Sequence, residues 1–96
     1  MARMPGADWK PTDVNYTQDG MGSVTRVIVH IMQGTFEGTD AWFRNLTSNV
    51  SAHFGTSKAG ALRQWVDTKD RAWHAKSANS SSIGIENEGR AGDTLT

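Results

Sequence analysis

Three histidines and one glutamate carry most of the chemistry open to this 96-residue chain: His30, His53, His74 and Glu86. Imidazole nitrogens and a carboxylate can bind a metal ion or pass protons near neutral pH. The chain has no cysteine, so a disulfide framework and a Cys-type zinc site are excluded, and any metal must rest on histidine and carboxylate. His30 sits in Val24-Thr25-Arg26-Val27-Ile28-Val29-His30-Ile31-Met32, where an aliphatic side chain would be expected. A ring taken out of water without a partner costs about 1–3 kcal/mol, so a hydrogen bond or a metal must satisfy it.

The elements that must position these groups follow from the pattern around them. The β-branched, apolar run before Met32 predicts a central strand covered on both faces. Residues 1–23, rich in Gly, Pro, Asp and Asn, predict an irregular arm pinned by Trp9 and Tyr16, and residues 24–96 make up the rest of one small domain. Thr39 reads as a helix N-cap with Asp40 in the first turn, and Trp42, Phe43 and Leu46 share the side that should lie on the sheet. Alternation over residues 50–56 puts Val50, Ala52 and Phe54 on the core side and turns His53 away from it. Residues 57–60 connect this strand to a hairpin partner over 61–67, in which Leu62, Gln64 and Val66 oppose Arg63, Trp65 and Asp67. A Ser-rich loop then ends at Ser82. The last strand, residues 83–89, sends Ile83 and Ile85 one way and Gly84, Glu86 and Glu88 the other, with Gly84 leaving room for something to approach. Glu88 reads as a surface carboxylate, and residues 90–96 as a loop leading to a helix N-cap where the chain stops. The fold class is α/β: a mixed sheet with helices packed on it.

Ten Lys plus Arg against ten Asp plus Glu leave no net charge, so nothing predicts a general electrostatic grip on nucleic acid or on an anionic membrane. No window reaches the length of a membrane span, and residues 1–9 lack the apolar run of a signal peptide. These features predict a protein made in the cytoplasm that recognises its partner through a site, not through a field.

The order of a strand ending in Val-His, a short helix, Val50-Ser51-Ala52-His53-Phe54, a hairpin, Arg71-Ala72-Trp73-His74-Ala75 and Ser82-Ile83-Gly84-Ile85-Glu86-Asn87-Glu88-Gly89 resembles the type 2 N-acetylmuramoyl-L-alanine amidases. These share a fold with the peptidoglycan recognition proteins, and the resemblance covers roughly residues 24 to 90. It implies zinc-dependent hydrolysis of the amide between the lactyl group of N-acetylmuramic acid and L-alanine of the stem peptide. It also implies roles: His30 as a zinc ligand, Glu86 as general base and acid, and His53, His74 and Trp73 near the groove for peptidoglycan or a muropeptide. Of these, His53 suits a structural role and His74 a contact with sugar or peptide, with Trp73 packed beneath the loop.

The family's other two zinc ligands, a His and then an Asp or Cys, lie beyond the Ile-Gly-Ile-Glu strand, and no histidine follows His74. The resemblance therefore implies the N-terminal portion of an amidase domain, incomplete at its C-terminus, whose site is completed by a later segment, a second chain or a second copy, or by a substitute ligand such as His53. A bacteriophage endolysin acting on the cell wall and a cytoplasmic amidase that recycles muropeptides both fit. The alternative is a peptidoglycan-binding module, or an inactive fragment, that keeps the groove without a complete zinc site.

Overall fold

The computed structural model describes residue 4 and residues 6–89. Its frame is a five-stranded mixed sheet in the order β1 (Asp8–Trp9), β5 (Leu62–Gln64), β4 (Phe54–Thr56), β7 (Ser82–Asn87) and β3 (Arg26–Ile31). β3, β7 and β4 run parallel, β5 returns antiparallel to β4, and β1 lies parallel to β5. A separate ribbon pairs β2 (Tyr16–Thr17) with β6 (Arg71–Ala72). The α/β class holds, and the antiparallel pair expected after the helix is β4 with β5. The stretch read as an irregular arm contributes two short strands, with Trp9 in β1 and Tyr16 in β2.

Residues in register across parallel strands share a face of the sheet. His30 is level with Glu86, Glu86 with Gly55, and Ile28 with Gly84. Helix α1 (Phe36–Phe43) packs on this face through Trp65, whose ring covers Gly55. Phe36 and Phe43, seven residues apart and so on one side of the helix, are buried against it. The Phe43 ring meets Trp65 edge-on at 4.8 Å, and the indole nitrogen donates to Asp40 Oδ1 at 2.7 Å. Burial works against the Asp40 charge, but hydrogen bonds from Arg44, Trp65 and Arg63 outweigh it and hold the carboxyl below its ordinary range.

Several expectations need correction. Among the described residues β3 is an edge strand, not a central one, and Val27 and Val29 on its other face are 59% and 56% exposed. An apolar run announces a strand but cannot say what covers it. The helix begins earlier than expected: Thr35 is the N-cap, its Oγ1 accepting from the Gly38 amide at 3.1 Å, while Thr39 already donates its own amide to Thr35 O. Leu46 therefore falls beyond the helix, and it and Trp42 are exposed. Residues 50–53 are not strand, and residues 51–55 are buried without alternation. Their neighbours lie on every side: the Ser51 hydroxyl donates to Asn15 O and accepts from the Trp73 amide. Gln64, Trp65 and Val66 are likewise buried in succession. The Ser-rich loop is a 3-10 helix, η1 (Lys76–Ser81). The helix N-cap expected within residues 90–96 lies outside the described residues.

Glu88 is not a free surface carboxylate. Its Oε2 accepts from the Phe36 amide at 3.1 Å and its Oε1 from the Lys58 amide at 2.8 Å, tying the start of α1 and the β4–β5 turn to the end of β7. These backbone bonds, Lys58 first and then Phe36, hold its pKa below the ordinary carboxylate value.

Gly55 gives the fold a direct test. A Cβ built there would stand 2.3 Å from the edge of the Trp65 ring. Gly55→Ala should force the indole off the Phe36–Phe43 pair and destabilise the chain by about 1–3 kcal/mol, read as a lower midpoint in urea unfolding.

Candidate functional site

β7 and β3 bring Glu86 and His30 level on the helix-bearing face because their side chains alternate with Ile85 and Val29, which point the other way. The loop after β6 then lays His74 over the same face. It can approach so closely because residue 84 is glycine: a Cβ there would lie 2.6 Å from His74 Cγ. The space that Gly84 was expected to leave open is filled by this ring. Asn79, in η1, holds the loop by accepting from the His74 and Ala75 amides through Oδ1.

His74 joins the other sequence candidates. Its Nδ1 is 3.0 Å from His30 Nε2, and its Nε2 is 3.1 Å from Ser82 Oγ. The His30 and His74 rings meet edge-on at 5.2 Å. A cleft of about 200 Å³ opens beside them, with Met32, Trp42, Trp73, His74 and Glu86 in its wall. Trp73 is fixed in that wall by its indole N–H, which donates to Thr17 Oγ1 at 3.0 Å.

His53 is the exception. It is 0% exposed, so the expectations that it points away from the core and lies near the substrate groove are corrected, and its contacts are those of the structural role the resemblance suited it to. Both ring nitrogens are engaged by backbone: Nδ1 accepts from the Gly84 amide at 3.1 Å and Nε2 donates to Asp70 O at 2.8 Å. An amide can only donate and a carbonyl only accept, which fixes a neutral ring with its proton on Nε2. His53 thus braces Gly84, the seat of His74, from behind. Alternation by itself turns His53 outward, whereas the resemblance suits it to this structural role.

Burial shifts the titrating groups in and behind the cleft. Burial lowers His30, His53 and His74 below the ordinary 6.5, with His74 reaching about 4 as the neighbouring His30 and His53 add to the effect. For His53 the hydrogen bond to Asp70 opposes burial without overcoming it. Burial pushes Glu86 the other way, up to about 7. A carboxyl that titrates near neutrality can both take and give a proton.

A catalytic zinc takes three protein ligands. Among the described residues no three His, Asp or Glu side chains come together as such a set, and the His30 and His74 nitrogens that do meet are bonded to each other. The described residues therefore do not by themselves fit a zinc ion. Nor is any described helix long and apolar enough to cross a membrane.

Known proteins identify the family and the fold. The N-acetylmuramoyl-L-alanine amidase family matches over residues 20–96. N-acetylmuramoyl-L-alanine amidase A of Achromobacter lyticus is 39% identical over 88 residues, which cover 91% of this chain and 50% of that protein. The chain thus spans about half the length of this curated relative. The crystal structure of a Se-Met AmpD derivative superposes with a TM-score of 0.83 at 24% identity, covering 98% of this chain and 67% of that one. The catalytic domain of XlyA gives a TM-score of 0.62, also at 24% identity, over 85% of this chain and 59% of its own. At that identity the two structures bear on the fold alone.

The three lowered histidines set a pH dependence. A base whose folded pKa is depressed binds fewer protons in the native state, so its stability contribution is present above the ordinary 6.5 and is lost as pH falls toward the folded values. Glu86, raised from 4.5, acts in the opposite sense, but it is one group against three. Urea midpoints should fall as pH is lowered from about 7 to about 5, and His53→Gln should flatten that fall.

Proposed function

The chain belongs to the N-acetylmuramoyl-L-alanine amidase family, and from that premise we propose that it forms part of an enzyme hydrolysing the amide between N-acetylmuramic acid and L-alanine in peptidoglycan. The observation that carries this reading is Glu86. Its carboxyl is pushed to about 7 by burial, stands level with His30 and lines the cleft beside His74. In the proposed reaction Glu86 takes the proton of the attacking water and returns one to the departing alanine nitrogen. The amide C–N bond breaks as the C–O bond forms, and the products are a lactyl carboxylate and a free amino terminus. Trp73 and His74 in the cleft wall are the side chains proposed to meet sugar or peptide.

Zinc dependence belongs to the proposal as well, with His30 as one ligand. The described residues do not complete the set, so the remaining ligands would come from further chain or from a second copy. The same observation favours a second reading, a peptidoglycan-binding module that keeps the cleft without hydrolysis.

Two assays separate these readings. Release of L-alanine amino termini from peptidoglycan or soluble muropeptide supports the enzyme. Binding to insoluble wall without such release supports the module. Clearing of whole walls in a zymogram would favour an endolysin acting at the cell wall, whereas activity confined to small fragments would favour recycling in the cytoplasm.

If Glu86 is the base, amide hydrolysis rises with pH through about 7. Glu86→Gln should lower kcat by about 10²–10⁴-fold with wall binding retained. The same substitution should stabilise the fold above neutrality. A carboxyl with a raised folded pKa contributes stability below 4.5 that is lost as pH rises through about 7. Because this carboxyl is partly open to solvent, the expected gain at about pH 8 is on the order of 1 kcal/mol, read in urea unfolding.

A further inference from the structure

The arm that precedes β3 carries a second concave surface. Trp9 in β1 and Tyr16 in β2 stay half-buried, and both border a hollow of about 260 Å³. Trp65 and Val66, almost fully buried, also line it. It shares no lining residue with the cleft that holds Glu86 and His74.

The walls are fixed without a ligand. The Lys10 amide donates to Gln64 O at 2.9 Å and the Thr12 amide to Trp65 O at 3.1 Å, which lays the arm along β5 and its continuation. Farther on, the Asp19 amide donates to Asp70 Oδ1 at 2.8 Å, and Tyr16 is in register with Ala72. A hollow held by such bonds need not be ordered at the moment of binding.

Charge at the hollow argues for a neutral ligand. Asp70 and Lys69 both border it, and Lys69 Nζ lies 3.6 Å from Asp70 Oδ1 and 3.1 Å from Asp19 Oδ1. Asp67 Oδ1 accepts from the Lys69 amide at 3.0 Å. A cation entering here would meet an ammonium, and an anion would meet carboxylates. Polar atoms remain for a ligand that brings hydroxyls. The Tyr16 hydroxyl, the Gln18 amide and Asp70 Oδ2 have no hydrogen-bond partner among the described residues, and none of them is a buried unpartnered atom, so water reaches each. Beside them an indole and a phenol ring offer apolar surface. A pyranose ring is the complement, with an apolar C–H face and a rim of hydroxyls that both donate and accept.

We propose that this hollow is a saccharide subsite, which takes one neutral N-acetylhexosamine ring of a glycan strand against Trp9 and Tyr16, with sugar hydroxyls on Gln18 and Asp70. The choice of an aminosugar rests on the reading of the chain as acting on peptidoglycan, whereas the fit to a neutral sugar does not. The ribbon that pairs Tyr16 with Ala72 runs on into Trp73, whose indole donates to Thr17. Hollow and cleft thus lie on neighbouring parts of one ribbon, where a polymeric glycan can meet both.

The test is a titration of the 96-residue chain with tri-N-acetylglucosamine, a neutral oligosaccharide with no lactyl amide to hydrolyse. The readout is the 1H–15N spectrum of the four indole N–H groups. Loss of a signal in Trp9→Ala identifies Trp9, and Trp42→Phe and Trp73→Phe identify the indoles of the cleft. The Trp9 signal should move saturably with a Kd on the order of 1 mM, as expected for one small ring, while Trp42 and Trp73 stay in place. Tyr16→Phe should weaken binding about two- to tenfold, and Trp9→Ala about tenfold or more, the latter read by the sugar's own line broadening.

An unmoved Trp9 signal at about 20 mM sugar would overturn the proposal. Saturable shifts at Trp42 or Trp73 in its place would put the sugar in the cleft and overturn it too, as would tighter binding of the deacetylated, cationic trisaccharide. If Trp9→Ala also loses the Trp65 and Trp73 signals, it has unfolded, and Tyr16→Phe and Gln18→Ala decide: unchanged affinity in both overturns the proposal. Sugar binding without release of L-alanine from peptidoglycan would sink the amidase reading alone. Release of L-alanine by a chain whose Trp9 signal ignores the sugar would sink this one alone.

Discussion

Two glycines in the sheet allow two rings to lie flat against backbone, and the rest of the structure is arranged around that allowance. Gly55 in β4 receives the Trp65 indole, and Gly84 in β7 receives the His74 imidazole. Both sit on the face that bears Glu86 and His30. The first ring gives α1 something to pack on, since Phe36 and Phe43 close over it. The second brings a loop residue within hydrogen-bonding distance of a strand residue. A methyl group at either position would lift a ring by more than van der Waals contact tolerates, so one seat builds the core and the other builds the cleft.

Because both seats are on one face, core and cleft share a dielectric environment. The layer that shields Trp65 continues past Met32 toward Glu86, and the shifts at the cleft follow from it. Burial raises a carboxyl and lowers an imidazole for the same reason: each keeps its uncharged form when water is withdrawn. No oppositely charged partner is needed to explain Glu86, for which burial is the resolved cause. The charged networks lie elsewhere, at Asp40 with Arg44 and Arg63 and at Asp19 with Lys69.

What could be read from the sequence was local. The alternation over residues 83–87 assigned Ile85 and Glu86 to opposite faces, and the β4–β5 hairpin followed from its turn and flanking patterns. What could not be read depended on partners far along the chain. Hydrophobicity located β3 but not its place at the edge of the sheet that the described residues form. Thr39 and Thr35 are equally good caps by type, and the earlier start is the one that buries both Phe36 and Phe43 and gives the Phe36 amide to Glu88. His53 looked solvent-facing because alternation assumes a flat strand with one wet side, whereas Asp70 and Gly84 close on it from two directions. Glu88 likewise looked like surface until the amides of Phe36 and Lys58 met it. The candidate site was legible as a set of residues, and its geometry was not, because His74 reaches His30 across a loop whose path no local pattern encodes.

The pairing of β3 with β7 also sets an order of events. Arg26 lies beside Ser82 and Ile31 beside Asn87, so the two strands that carry His30 and Glu86 are neighbours in space only after a long stretch of chain has been closed between them. The α1 turns and the β4–β5 hairpin need only local closure, while a parallel pairing of this span must surrender loop entropy before its first hydrogen bond is gained. The cleft therefore carries the larger share of the chain-closure cost of folding. During synthesis, a ribosome that has released α1 and the hairpin has released the scaffold of a cleft but no cleft, and the Glu86 carboxyl gains its shifted proton affinity only when β7 docks.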